Sequence, residues 1–122
     1  TFGGNPFSCK AALTVASEIE KRNLLLNSRE RGIQLKKGLI ELQNSFPKLI
    51  SEIRGWGLIQ GLVLKEDLLF SAKEFVFEAL NQQLLLIPAG SQVVRFVPPL
   101  NINREEVSKI LIRVSATLER MS

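Results

Sequence analysis

One arginine stands inside an apolar segment of the sequence, and its side chain could bind a negatively charged ligand. Arg95 interrupts the run Val93–Val97, whose other members are valine and phenylalanine. Burying a guanidinium is costly unless an anion meets it, so we expect Arg95 to bind a carboxylate through paired hydrogen bonds. The alternative is an arginine at a sheet edge, whose side chain reaches solvent or pairs with a nearby glutamate.

A second candidate lies in the opening segment, residues 1–6, which reads TFGGNP. Asn5 can cap a helix, and Pro6 suits the first helical turn. The Thr1 hydroxyl and the glycine backbone would then precede a helix N-terminus, where free N–H groups and the helix dipole favour phosphate. The same residues also form ordinary turns, so spacing alone leaves both interpretations open.

The composition excludes several kinds of chemistry. The 122 residues include no histidine, no tyrosine and one cysteine. An internal disulfide, a cysteine-rich zinc site and a nucleophile paired with histidine are therefore excluded, and no metal site is predicted. Cys9 has no such partner, so we expect it to be a small buried residue.

Glycines recur in the segment 53–64, and we expect them to serve packing. Gly55, Gly57 and Gly61 do not complete the G-x-G-x-x-G pattern of nucleotide-binding loops, because position 60 is Gln. The spacing is typical of a strand with a bend or bulge, where another backbone approaches closely. Trp56, between two of these glycines, is predicted to be a packing anchor or part of an interface.

The chain carries a formal net charge of +4, which permits an anionic ligand without indicating nucleic acid. Its densest basic group has few aromatic residues interleaved, so a solvated helix face is favoured over nucleic-acid binding. Its apolar runs are far shorter than the roughly 20 residues of a bilayer span, so no membrane segment is predicted and a cytoplasmic location is expected. The basic group consists of Arg29, Arg31, Lys36 and Lys37.

The elements that position these residues follow from hydrophobic periodicity and capping signals. The predicted order is helix, helix, strand, helix, strand, strand, helix. About five residues separate the last two strands, which favours an antiparallel hairpin. We therefore predict an α+β fold: a small, three-stranded, mainly antiparallel sheet with helices packed on one face. The predicted landmarks are an apolar helix face at Ala12, Val15, Ala16 and Ile19, a break near Asn23, a helix through Leu35, Leu39, Leu42 and Phe46, a bent strand over 53–64, a capping box at Ser71 and Glu74, strands over 84–87 and 93–97, and a second capping box at Asn103 and Glu106.

Four motifs occur in an order that resembles the C-terminal part of class III pyridoxal-phosphate aminotransferases. The resemblance extends over all 122 residues. It implies the small C-terminal domain of the fold type I architecture, with residues 23–122 forming that domain and the helix of residues 1–22 bridging to a large domain. The motifs are Thr1–Pro6, the glycine segment that starts at Arg54, Pro88-Ala89-Gly90, and Arg95–Leu100.

The resemblance also implies roles for individual residues. Thr1 corresponds to the threonine that binds the cofactor phosphate in the neighbouring subunit's site. Arg95 corresponds to the arginine that binds a substrate carboxylate. The lysine that forms a Schiff base with pyridoxal 5'-phosphate lies upstream of these motifs in the family, as does the aspartate that pairs with the pyridine nitrogen. The resemblance therefore implies no catalytic residue in this chain, which alone should be inactive.

Within the class, the sequence is most similar to members that act on N-acetylornithine. The expected reaction moves the terminal amino group of that substrate to 2-oxoglutarate, in arginine biosynthesis, in a homodimeric enzyme with no nucleic-acid or membrane partner. An aminotransferase for ornithine or another ω-amino acid shares the same motifs and remains open. A non-catalytic ligand-binding α+β module is the other alternative, and nucleic-acid binding ranks last.

Overall fold

A four-stranded antiparallel sheet and four helices make up the computed structural model, which describes residues 3–122. The strand order across the sheet is β1-β2-β4-β3. The α+β prediction is confirmed, with one strand more than predicted. The elements are α1 (Pro6–Lys21), α2 (Leu24–Ser45), β1 (Ile50–Trp56), β2 (Ile59–Leu64), α3 (Ala72–Asn81), β3 (Ile87–Ala89), β4 (Val93–Phe96) and α4 (Arg104–Arg120).

The additional strand arises where one bent strand was predicted over residues 53–64. The chain reverses at Gly57 and Leu58, and Trp56 pairs with Ile59 in an antiparallel hairpin. Gly57 adopts a φ of 52°, a left-handed conformation that glycine reaches without steric cost. The Gln60 side-chain amide donates a hydrogen bond to the Gly57 carbonyl oxygen at 2.7 Å. The recurring glycines therefore mark a turn between two strands.

The second predicted strand also needs correction. It begins at Ile87 and ends at Ala89, whereas the apolar run predicted residues 84–87. Leu84 and Leu86 are buried in the connection after α3 and contribute to the core from outside the sheet. The left-handed Gln83, with a φ of 58°, separates this connection from the helix.

One face of the sheet packs against helices, as predicted. Side chains at every second position of β2 and β4 are buried there, because successive side chains of a strand point to opposite faces. Helices α2, α3 and α4 supply the other half of the core, and α2 and α3 pack directly on the strands. Both predicted capping boxes form, at the starts of α3 and α4. Core residues from the strands are Leu62, Leu64, Val94 and Phe96, and those from the helices include Leu35, Leu39, Phe75, Val107, Val114 and Leu118.

Helix α1 departs from its prediction because it contains no buried residue. Its apolar face was predicted at four positions, yet Ala12, Val15 and Ala16 are exposed and Ile19 is only partly buried. Cys9 is likewise exposed rather than buried. The physical reason is position: within residues 3–122, the main neighbour of α1 is α2, a single helix rather than the layered core.

The helix cap predicted at the start of α1 and the break predicted after it are both present. Asn5 is the N-cap, and its side chain accepts a hydrogen bond from the Ser8 backbone N–H at 2.9 Å. At the other end, Asn23 takes a left-handed φ of 50° and breaks the chain before α2. Among the described residues, no helix combines the length and apolar character needed to cross a membrane.

Candidate anion-binding site

Arg95 lies on β4, which is an inner strand of the sheet. Its side chain is exposed on the face that no helix covers, between the buried Val94 and Phe96. The burial expected for Arg95 is therefore not found, because Val94 and Phe96 point to the packed face, whereas Val93 lines the open cleft together with Arg95. The sheet-edge alternative is also wrong, since β4 is paired on both sides. Arg95 therefore lies in the middle of the sheet, yet its side chain reaches solvent as an arginine at a sheet edge would.

The guanidinium of Arg95 makes no hydrogen bond or ion pair with any residue between positions 3 and 122. It borders a cleft of about 380 Å³ on the open face of the sheet. A charged group with no internal partner, at the wall of a cleft, can receive an anion without first breaking a contact. The cleft is lined by Arg54, Gly55, Ile59, Gln60, Gly61, Ala89, Gly90, Val93 and Arg95.

Strand pairing places a second arginine in this cleft. Arg54 of β1 pairs with Gly61 of β2, and Gly61 pairs with Arg95 of β4. The three residues therefore form one row across the sheet, with the glycine in the middle. Ile87 of β3 continues the row on the far side of Arg95. From the sequence, Arg54 stands out only as part of a motif, and its place beside Arg95 depends on a register that composition does not reveal.

Gly61 forms the floor between the two arginines. A Cβ atom added to it would lie 3.4 Å from Val93 Cγ1 and 3.6 Å from Arg54 Cγ. The missing side chain therefore belongs to the same open face as Arg54 and Val93. Its absence keeps the centre of the cleft free.

The charge of the cleft is positive. The Arg54 side chain is 57% exposed, and its one ion pair within the described residues is to Glu52 at 3.9 Å. A long and exposed pair of this kind contributes little and is easily exchanged for another partner. The cleft can thus offer two guanidinium groups to a ligand.

The other two glycines of the motif shape the hairpin beside the cleft. Gly55 has a φ of 136°, and a Cβ there would overlap the Ile59 carbonyl oxygen. Helix α2 approaches the turn through Gly32, whose added Cβ would meet the Gly57 carbonyl carbon at 2.5 Å. The prediction of close backbone approach is confirmed at both places.

Trp56 is 90% exposed, so the prediction that it anchors packing is wrong within the described residues. Its neighbour across the turn, Ile59, is 60% exposed. Strand β1 lies at the edge of the sheet, and its last residue projects beyond the core. The other interpretation of Trp56, an interface residue, remains a prediction.

The predicted phosphate-binding segment is described only in part. Thr1 lies outside the described residues. Gly3 and Gly4 have open space where a Cβ would be, and Gly4 has a φ of 84°. They precede the N-terminus of the 16-residue helix α1. An exposed glycine backbone at a helix N-terminus permits the close approach that a phosphate needs.

A larger concavity, about 760 Å³, lies between α3 and the end of α4, away from both arginines of the cleft. Its carboxylates are already engaged within the chain. The Ser71 backbone N–H and hydroxyl lower the pKa of Glu74. The side-chain amide of Asn81, with a smaller contribution from Arg120, lowers the pKa of Glu78. Within the described residues, no cluster of three acidic or cysteine side chains could hold a metal ion.

Comparison with known proteins identifies the family of this chain. The family model for class III aminotransferases matches residues 1–118. The acetylornithine aminotransferase of Prochlorococcus marinus strain MIT 9313 is 52% identical over 118 residues, which cover 97% of this chain and 28% of that protein. The corresponding protein of Thermosynechococcus vestitus is 51% identical over all 122 residues, or 30% of its own length.

Solved structures give the same result. The N-acetylornithine aminotransferase of Stenotrophomonas maltophilia superimposes with a TM-score of 0.87 and 34% identity, over 97% of this chain and 32% of that one. The ornithine aminotransferase of Toxoplasma gondii superimposes with a TM-score of 0.89 and 27% identity, over 99% of this chain and 28% of that one. The chain spans less than a third of the length of the Prochlorococcus and Thermosynechococcus proteins. By sequence and by fold, it belongs to the class III aminotransferase family.

Proposed function

We propose that this chain is the C-terminal part of an aminotransferase that moves the terminal amino group of N-acetylornithine to 2-oxoglutarate, in arginine biosynthesis. The names of relatives about 50% identical to it support this substrate. The observation that carries the proposal is the unpartnered guanidinium of Arg95 at the wall of an open cleft. The substrates of this reaction carry carboxylates, which are the groups that arginine binds best.

Arg95 would bind and orient a substrate carboxylate. Its position on an inner strand fixes the backbone on both sides, so the guanidinium is held by a rigid element. Fixing one end of a substrate keeps the reacting carbon in place at the other end, and such orientation lowers the barrier by several kcal/mol. Arg95 therefore positions substrate and takes no part in proton transfer.

The cofactor of this function is pyridoxal 5'-phosphate. Thr1 is proposed to bind its phosphate, in the site of the neighbouring subunit, together with the glycine backbone before α1. The open space around Gly3 and Gly4 fits a phosphate at that position. When bound, the cofactor supplies an electron sink for the carbon that bears the transferred amino group. A lysine would hold the cofactor, and we assign that role to no lysine of this chain.

The assembly and location are further parts of the proposal. We expect a homodimer, because Thr1 is proposed to bind the cofactor in the neighbouring subunit's site, and we expect a cytoplasmic location. Residues 23–122 would be the small domain, and the helix of residues 1–22 would bridge to the large domain. The absence of any buried residue in α1 supports that division, since this helix adds little to the small domain's core.

Kinetics of the full-length enzyme test the role of Arg95. Replacing it by Gln removes a charge-assisted hydrogen-bonded pair of about 2 kcal/mol. We expect the KM of one carboxylate substrate to rise roughly 30-fold, because 1.4 kcal/mol corresponds to a factor of ten. The bound-cofactor absorbance should persist, and Arg95→Lys should recover part of the loss.

A charge-matched control is available at Lys48, which is exposed in the turn before β1. Lys48→Gln removes the same charge from outside the cleft and should leave both KM values unchanged. Substrate identity is tested with N-acetylornithine and ornithine as alternative amino donors, and preference for ornithine would contradict the proposed substrate. Unchanged kinetics in Arg95→Gln would remove Arg95 from the site.

A further inference from the structure

We infer that Arg54 is a second substrate-binding residue, and that Arg54 and Arg95 hold the same substrate carboxylate across Gly61. This inference rests on the proposed function and deepens it, because it adds a residue to the same anion site. Its basis is the row formed by the three residues on the open face of the sheet.

The distance between the two arginines suits a shared ligand. Neighbouring strands lie about 4.8 Å apart, so two residues separated by one strand have backbones about 10 Å apart. Arg54 and Arg95 are separated in this way by Gly61. Both line the same cleft. The midpoint, above the glycine, is within reach of both long side chains, so one carboxylate there can accept hydrogen bonds from both.

Gly61 is not required by the backbone, in contrast to the other glycines of the motif. Gly55 and Gly57 have positive φ angles, whereas Gly61 does not. An added Cβ on Gly61 would meet its neighbours at 3.4 Å or more, which is close to an ordinary packing distance. A glycine in an ordinary strand conformation weakens the strand. A side chain at position 61 would fill space on the open face, and that space lies between the two arginines.

The charge distribution points the same way. Two guanidinium groups flank the gap, and within residues 3–122 the one carboxylate paired to either is that of Glu52, at 3.9 Å from Arg54. That carboxylate is itself 57% exposed. Like charges in one cleft without a close counter-ion favour binding of an anion from outside. A shared carboxylate would satisfy both cations at once.

The test compares charged and neutral substrates in the full-length enzyme. The proposal predicts that Arg54→Gln raises KM about tenfold for the same substrate whose KM rises in Arg95→Gln. It also predicts no more than a twofold change for the matching carboxamide, which lacks the negative charge. A residue that merely supports the fold would change the KM of both compounds alike, and that result would overturn the inference. Arg54→Lys keeps the charge and should restore at least a third of the lost affinity.

A double-mutant cycle tests whether the carboxylate is shared. If both arginines bind one group, Arg54→Gln combined with Arg95→Gln should raise KM by clearly less than the product of the single effects. Multiplicative effects would mean two separate anions and would overturn the shared site. Gly61→Ala should raise the same KM by a few fold while Lys48→Gln has no effect.

A cofactor-binding measurement distinguishes the two anions that the enzyme would bind, the substrate carboxylate and the cofactor phosphate. Inorganic phosphate probes the site of the cofactor phosphate, and the quantity measured is how far it slows rebinding of pyridoxal phosphate. If Arg54→Gln weakens cofactor binding and leaves substrate KM unchanged, the anion at Arg54 is a phosphate and the inference is overturned. If Arg95→Gln raises KM and Arg54→Gln does not, the inference fails and the proposed function stands. If neither variant changes KM, the substrate-binding role proposed for Arg95 fails as well.

Discussion

The two faces of the sheet differ in what their side chains do. On the packed face, Leu62, Val94 and Phe96 are almost completely buried against the helices. On the open face, Arg54 and Arg95 flank a glycine and border a cleft. The same three strands supply both faces, because alternate residues point in opposite directions. Residues that stabilise the core and the arginines proposed to bind substrate are therefore a single position apart along the chain.

This separation means that neighbouring residues should respond differently to substitution. Changes on the packed face remove hydrophobic burial and should act on stability. Changes on the open face leave the core intact and should act on binding. Variants at adjacent positions can therefore support or contradict the comparison.

The largest effect is expected for Phe96→Ala. The side chain is 1% exposed, and removal of a buried phenylalanine costs about 3–5 kcal/mol, since a cavity is left behind. Urea denaturation of the chain measures this loss. Its neighbour Val97 is 52% exposed, so Val97→Ala should change the free energy of unfolding by about 0.5 kcal/mol or less. Equal losses at the two positions would contradict the separation of faces.

Glycines of the hairpin should show the next largest effect. Gly55→Ala places a Cβ against the Ile59 carbonyl oxygen at a φ of 136°, and strain of this kind costs about 1–3 kcal/mol. Gly61→Ala meets no such overlap. Its free energy of unfolding should therefore change much less, within about 1 kcal/mol. Thermal unfolding of the two variants measures the difference, and a larger loss at Gly61 would mean that this glycine has a structural role.

The smallest effect concerns pH and α3, which covers the packed face. The Ser71 backbone N–H donates to Glu74 at 2.7 Å and lowers the pKa of that carboxyl below its ordinary value of 4.5. A lowered pKa in the folded chain gives stability that is present above pH 4.5 and is lost as pH falls through the folded pKa. Glu74→Gln should therefore flatten the acid limb of a stability–pH curve. An unchanged limb would mean that the capping box contributes nothing to acid sensitivity.

The sequence predicted most of the packed face and part of the open one. The capping boxes at Ser71 and Asn103 depend on local spacing, so the helices could be predicted from nearby residues. Arg95 could be selected because a charge in an apolar run is unusual. Its exposure could not, since strand alternation shows that Val93 and Val97 share its face but does not show which face the helices cover. The position of Arg54 depends on strand register, which is set by the turn at Gly57.

Exposed apolar side chains were the other source of error. Trp56 and the apolar face of α1 have the composition of packed residues, and within residues 3–122 they are exposed except for the partly buried Ile19. Hydrophobicity shows that a residue is suited to burial, but it does not identify the surface that buries it. The same gap explains Cys9, which was predicted to be buried and is exposed.

The absence of buried residues in α1 has a consequence for amide exchange with deuterium. A helix of 16 residues that buries none of them gains little from tertiary packing, so it is only marginally stable in water. In the 122-residue chain by itself, backbone amides of α1 should therefore exchange through local fraying, many orders of magnitude sooner than those of β2 and β4 at the centre of the sheet. Exchange protection that begins only after the left-handed Asn23 would locate the first residue of the cooperatively folded unit.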